Sequence, residues 1–302
     1  MRKILLTGKN GQVGWELQRT LAPLGDVIAV GRREMDLADA DSIRQTIRQV
    51  RPDVIVNAAA YTAVDRAESE PDLAMAINGI APGIMAEEAG RLKAALVHYS
   101  TDYVFDGAKD GPYVEGDAPN PLNVYGRTKL AGERAIQAAE VPHLILRTSW
   151  VYCMRGKNFL LTMLKLSREK DELRIVDDQR GAPTWSRMIA EATSQILARH
   201  HSSAASVADA MAGFSGSYHV VAGGMATWYG FARKIFEIRA RMTGQPAPGL
   251  RPIATADYPL PASRPANSCL SGEKLASAYG LALPSWEQSL ALCLEELAGM
   301  SA

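Results

Sequence analysis

Cysteine is scarce in this chain. Its 302 residues carry three, Cys153, Cys269 and Cys293, an odd number with no metal-like spacing. That composition excludes a disulfide scaffold and a zinc ribbon, and it fits a reducing cytoplasm. Charge of one sign is also missing. Lys and Arg number 33, Asp and Glu number 33, and the formal net charge is zero. No basic face is offered to nucleic acid and none to a membrane surface. Long hydrophobic runs are absent, so no membrane span is predicted. The apolar stretch after Met1-Arg2-Lys3 breaks at Thr7-Gly8-Lys9-Asn10. It is too short for a signal peptide and is expected to be a first strand.

What is present is ordinary in amount: 47% hydrophobic and 22% charged residues, enough for a full core. The order of the apolar segments is the informative part. Short runs rich in Val, Ile and Leu predict strands at Ile4–Thr7, Asp26–Val30, Asp53–Asn57, Leu96–Ser100 and His143–Arg147. Helices are expected to begin near Val13, Asp39, Pro71 and Asn123, with Asp39 and Glu70-Pro71-Asp72 as start signals. Repeated β-α units imply an α/β protein with a Rossmann-like parallel sheet, helices on both faces.

After Trp150 the pattern becomes irregular. Helices are expected over Phe159–Lys170, Ser186–Arg199 and Trp228–Met242, strands at Leu173–Val176 and Ser217–Val221, and two helices at the end. His200–Gly216 predicts a mobile surface loop, and Pro246–Pro265 a Pro-rich segment. The division expected is a cofactor domain at 1–150, to which about 186–222 returns, and a smaller α/β lobe at 151–302 that mainly holds substrate, with the site between them.

Two motifs carry the chemistry. The first, Gly8-Lys-Asn-Gly11-Gln-Val-Gly14, lies between a strand and a helix. Glycine permits a tight turn, and backbone N–H groups there can approach a pyrophosphate at the helix N-terminus. The competing reading is a strand–helix turn with glycines for sterics alone. About 20 residues on, where an acid would bind the ribose 2′-hydroxyl of NAD, stand Arg32 and Arg33. A guanidinium suits a 2′-phosphate, so NADPH is expected, with the alternative that both arginines belong to a solvated loop. Asp36 and Leu37 are placed along the adenine.

The second motif is Tyr125-x-x-x-Lys129, one helical turn apart and so on one face. Carbonyl reduction needs a hydride on carbon and a proton on oxygen. A phenol ordinarily ionises near pH ~10. A neighbouring ammonium is expected to lower that value and make Tyr125 a usable acid. Thr101, at the end of the fourth strand, is the hydroxyl expected to share the carbonyl oxygen. Taken without their context, these would be a solvent-facing helix and a strand end with an Asp cap.

These residues resemble the extended short-chain dehydrogenase/reductase family, which acts on nucleotide sugars. The resemblance covers nearly the whole chain. It rests on Gly8–Leu17, Val56–Pro71, His98–Phe105, Pro121–Glu133, Arg147–Tyr152, Asp178–Thr184 and Arg264–Asn267. It implies Thr101, Tyr125 and Lys129 as the catalytic set, and Asn10, Gly11, Gln12, Val13, Asp36, Leu37, Ala60, Tyr61, Thr62 and Tyr99 as cofactor contacts. Thr101, Asp102 and Trp150 fall near the sugar. The reaction implied is NADPH-dependent reduction of a dTDP-linked 4-keto sugar, with NADH as a second donor. The family's sugar dehydratases carry Asp-Glu after this threonine. Here the pair is Asp102-Tyr103, which argues against a dehydratase.

A sugar-nucleotide 4-epimerase and a non-catalytic regulatory subunit stay open as alternatives. Some relatives form homodimers around magnesium held by interface glutamates. Glu16 matches such a position, but Trp185-Ser186-Arg187 lacks the expected acid, and no metal is assigned. Arg264 is read either as a diphosphate ligand or as half of a loop-pinning ion pair. His200-His201 is expected in a surface tail, and Trp228 in the core of the second lobe.

Overall fold

A computed structural model describes residues 2–201 and 206–299. Five strands follow the apolar runs: β1 (Lys3–Thr7), β2 (Asp26–Val30), β3 (Val54–Asn57), β4 (Ala95–Thr101) and β5 (His143–Thr148). With β7 (Gly216–His219) they form one six-stranded sheet in the order β7-β5-β4-β3-β1-β2. Every pairing in it is parallel.

Successive residues of each strand point to opposite faces, and each face has its own core. Ile4, Leu6, Val54, Val56, Val97 and Leu146 pack with Leu17, Leu21 and Ile189 on one side. Leu5, Ile55, Leu96 and Ile145 pack with Ile43, Ile47, Ile84 and Ile136 on the other. The helices supplying these residues are α1 (Gln12–Thr20), α2 (Ala40–Val50), α3 (Ala81–Leu92), α4 (Val124–Ala138) and α6 (Ser186–His201). Asp39 caps α2 by accepting from the Asp41 and Ser42 amides, and Asn123 caps α4 by accepting from the Gly126 amide.

The chain passes from β1 out to β2, then returns to place β3 on the other side of β1. In open parallel sheets that reversal leaves a crevice beyond the strand ends, where ligands bind.

A third core joins α5 (Phe159–Leu166), α8 (Trp228–Thr243) and α10 (Trp286–Gly299) to β6 (Glu172–Val176). Strand β8 (Gly249–Ile253) pairs in parallel with β6. Sequence reading did not find β8. Its Gly-Leu-Arg-Pro-Ile has no alternation, and its proline is tolerated because a two-stranded sheet leaves one edge of each strand free.

The loop expected at His200–Gly216 is also corrected. Its residues 202–205 lie outside the described residues. Beyond them, Ser206 caps a helix, α7 (Val207–Ala212), which buries Val207, Ala208 and Met211. His200 is not in a surface tail. It is buried, with its Nε2 3.2 Å from the Tyr279 hydroxyl on α9 (Glu273–Tyr279). The side chain of His201 falls outside the described residues.

Candidate active site

The crevice at the reversal is a cavity of about 320 Å³ lined by Thr7, Gly8, Arg32, Asp36, Leu37, Ala60, Tyr61 and Thr62, among others. Its floor is the glycine turn. Gly8 has φ of +73°, and a Cβ there would press on the Ala58–Ala59 backbone. A Cβ on Gly14 would overlap the Gly8 carbonyl oxygen. Only glycine lets α1 start this close to β1. The first turn of α1 has no side-chain cap and no acid, so its amides are left to an anion. The residues present therefore fit a dinucleotide.

Of the sequence-predicted contacts, Arg32 reaches this cavity and Arg33 does not line it. The Arg32 side chain is 75% exposed and lies 3.4 Å from Asp36, free to swing to a phosphate. Asp36 also accepts from the Ala38 amide, which fixes the turn. Asn10 lies in the turn, Gly11 is the N-cap of α1, and Gln12 and Val13 open the helix; none of the four lines this cavity. Gln12 Oε1 accepts from Asn158, and Val13 packs against the core. Tyr99 turns its ring away, with its hydroxyl 2.6 Å from Thr193, so only its backbone faces Lys129. Two groups were missed by sequence reading. Arg66 lines the cavity beside Thr62, and Lys9 is clasped to Glu34 at 2.8 Å next to the turn. Their polar side chains carry no periodic signal.

Thr101 ends β4 and donates to Asp102 at 2.9 Å. Burial pushes the Asp102 carboxyl up to about 6, against hydrogen bonds from Ser268 and Thr101. Tyr125 and Lys129 share the inner face of α4. That helix comes close because it carries glycine at Gly126 and Gly132, where a Cβ would strike the carbonyl oxygens of Tyr103 and Asn78. Thr101 lies against the Tyr125 phenol, and the Tyr103 ring meets Tyr125 edge-on at 5.6 Å.

The expected lowering of the Tyr125 pKa is corrected. Burial pushes it up to about 12, opposed by Thr101. The Lys129 ammonium does not offset this, because its Nζ turns to the sheet. It sits 2.6 Å from the Tyr99 carbonyl and 3.0 Å from His98 Nε2. Burial pushes Lys129 down to about 8, with Glu133 pulling the other way.

A second cavity, about 510 Å³, is lined by Phe159, Arg174, Gln179, Trp228, Tyr258 and Arg264 among others. Trp228 packs against the third core as expected, and it also stacks on Trp150 at 3.5 Å and forms part of this wall. Trp150 holds a left-handed backbone, φ +46°, with its ring over Gly181. Such a conformation in a bulky residue persists only where its surroundings enforce it. Arg264 is held by Asp65 through two hydrogen bonds, 2.8 and 3.1 Å. Asp65 follows Thr62 and Ala63 of the first cavity, so this ion pair ties the two cavities together.

Glu16 is buried rather than on a solvated face. The Arg187 guanidinium donates to Glu16 at 3.3 Å and to both oxygens of Glu296. A fixed cation already bridges the two carboxylates, so these residues do not fit a magnesium ion. Among the described residues no cluster of His, Cys, Asp or Glu is arranged to hold a metal, and no helix is long and apolar enough to cross a membrane.

The parallel sheet, its crevice and its glycine turn define a nucleotide-binding α/β protein of the Rossmann type. The model of the RmlD substrate binding domain matches residues 1–298, and the chain belongs to that family. It is 48% identical to a dTDP-4-dehydrorhamnose reductase of Burkholderia thailandensis, over 98% of this chain and 99% of the relative. It is 47% identical to one of Escherichia coli K12, over 97% of each. A solved dTDP-4-dehydrorhamnose reductase from Bacillus anthracis in complex with NADP superposes with a TM-score of 0.88 at 33% identity, covering 98% of this chain and 99% of that one.

Proposed function

We propose that this chain reduces dTDP-4-dehydro-L-rhamnose to dTDP-L-rhamnose as an NADPH-dependent dTDP-4-dehydrorhamnose reductase. The observation that carries the reading is Tyr125 and Lys129 on one buried helix face beside Thr101, at the end of β4, in a chain that relatives of that name match end to end. We read residues 1–150, with about 186–222, as the cofactor-holding unit, since β7 closes the main sheet against β5. The remainder of 151–302 is read as the sugar-nucleotide unit. The Phe159 and Trp228 rings there suit a pyrimidine base, and Arg174 suits a diphosphate. Three buried, unpaired cysteines suit the cytoplasm.

When bound, NADPH supplies hydride to C4 of the sugar. Tyr125 supplies the proton to O4. Its raised pKa keeps the phenol protonated throughout the neutral range, ready to give. The oxygen left as the carbonyl bond is broken is a far stronger base than a phenolate, so the transfer runs downhill without a lowered phenol pKa. Thr101 fixes the carbonyl oxygen next to that phenol.

NADPH consumption with dTDP-4-dehydro-L-rhamnose, against other nucleotide-linked 4-keto sugars, tests the assignment. Turnover only with another of these sugars would refute it. In the same assay, Arg32→Ala should raise KM for NADPH about tenfold and leave KM for NADH nearly unchanged. That is the low end for a charge-assisted contact, because the side chain is exposed and screened. Arg33→Ala should change neither. An equal loss for both cofactors would mean Arg32 supports the loop and does not read the phosphate.

A further inference from the structure

A line of buried side chains runs from β1 through β3 and β4 to Lys129, and its hydrogen-bond polarity is fixed at the far end. The Thr7 hydroxyl lies 2.7 Å from Asn57 Oδ1, and the Ala59 amide reaches both that oxygen, at 3.3 Å, and the Thr7 hydroxyl oxygen, at 3.2 Å. A 2.7 Å separation is typical of O–H···O and short for N–H···O. Turning the amide over would bring two donors together at Ala59 and strand the proton of a Thr7 hydroxyl that is 2% exposed. Asn57 Nδ2 is therefore the group that faces His98 Nδ1, at 3.0 Å. His98 Nδ1 accepts, and the single proton of the neutral ring lies on Nε2. That nitrogen is 3.0 Å from Lys129 Nζ.

From this geometry we infer that His98 is a positioning residue that lowers the proton affinity of Lys129, its Nε2–H favouring the neutral amine over the ammonium against the sheet in the cofactor-free protein. The inference rests on Lys129 belonging to the catalytic pair. A neutral amine satisfies every contact. Its lone pair accepts from His98 Nε2, one of its two hydrogens goes to the Tyr99 carbonyl, and one is left over. An ammonium in the same place would set donor against donor, so protonation turns Nζ away from His98. The other groups around Nζ are accounted for. Tyr125 and Glu133 lie on its own helix, and Glu133 is neutralised by Arg147 from β5. His98 itself is fully buried and kept neutral, its pKa well below the usual value through burial and then Lys129.

Two substitutions reverse the polarity. His98→Gln can turn a carbonyl oxygen to Nζ. Asn57→Asp presents only acceptors to His98, which moves the ring proton to Nδ1 and gives the Nε2 lone pair to an ammonium. The test follows the Lys129 resonance by NMR in lysine-labelled, cofactor-free protein, assigned by its loss in Lys129→Met. Its titration midpoint should rise by roughly one pH unit or more in each variant, a tenfold change in the equilibrium. The same midpoint in all three proteins would overturn the inference. Should His98→Gln fail to fold, Asn57→Asp carries the comparison. Independently, the ¹⁵N shifts of the His98 ring in the unaltered protein should report a proton on Nε2, and one on Nδ1 would overturn it. If Tyr125→Phe kept its turnover, the catalytic reading would fall while these titrations stood. An unmoved Lys129 midpoint would remove the His98 role and leave the reductase reading intact.

Discussion

Replacing Tyr125 with Phe is expected to lower turnover by roughly 10²–10⁴-fold, the size of one general-acid contribution, with KM for the sugar nucleotide changed far less. Phenylalanine keeps the ring, its edge-on contact with Tyr103 at 5.6 Å and the packing of α4. Only the hydroxyl goes. The neighbouring Thr101 hydroxyl does not take its place as acid, because an aliphatic alcohol gives up its proton far less readily than a phenol. Single-turnover measurement with saturating NADPH separates this loss from product release. A variant that retained most of its rate would remove Tyr125 from the mechanism.

The second large effect is on stability. Arg147 and Glu133 form a bidentate pair at 2.9 and 2.6 Å, with side chains only 4% and 1% exposed. Arg147→Met leaves a carboxylate buried without its partner, which costs about 3–5 kcal/mol. Arg147 also lies over the Phe105 ring at 5.1 Å, so packing is lost as well. Adding Glu133→Gln should recover part of the loss, since the uncompensated charge is then gone. Glu133 sits one helical turn beyond Lys129, so the same pair holds up the face that carries this lysine. Chemical denaturation reads the result, and a change below about 1 kcal/mol for Arg147→Met would show that the pair is not the anchor of this face.

The main sheet was legible because its strands are continuous apolar runs that must be buried on both faces. Asp26–Val30 was read to the residue, and the others lie within a residue of β1, β3, β4 and β5. Where burial is shared among small residues the pattern fails. Helix α7 buries Val207, Ala208 and Met211 from an Ala-rich stretch with no long apolar stripe, and β8 carries a proline.

The glycine turn was legible for a different reason: no other residue can occupy Gly8 or Gly14. Side-chain direction was not legible. Sequence spacing put Lys129 beside Tyr125, but the fold turns its Nζ to His98 and the Tyr99 carbonyl. Spacing likewise placed Arg32 and Arg33 together, while only the first lines the cavity. Helical position puts Trp228 against the third core, where it does pack, but does not show the stack on Trp150 that also brings it to the cavity wall. The ion pair of Glu16 was not legible, because its partner Arg187 is 171 residues further along the chain.

The central claim is a net reduction at C4 of the sugar, and isotope tracing tests it most directly. The protein would be incubated with dTDP-4-dehydro-L-rhamnose and NADPH carrying deuterium at the transferable nicotinamide position. The account predicts dTDP-L-rhamnose with one deuterium at C4 for each NADPH oxidised. A product formed without deuterium at C4, or NADPH left unconsumed beside the authentic sugar nucleotide, would contradict it.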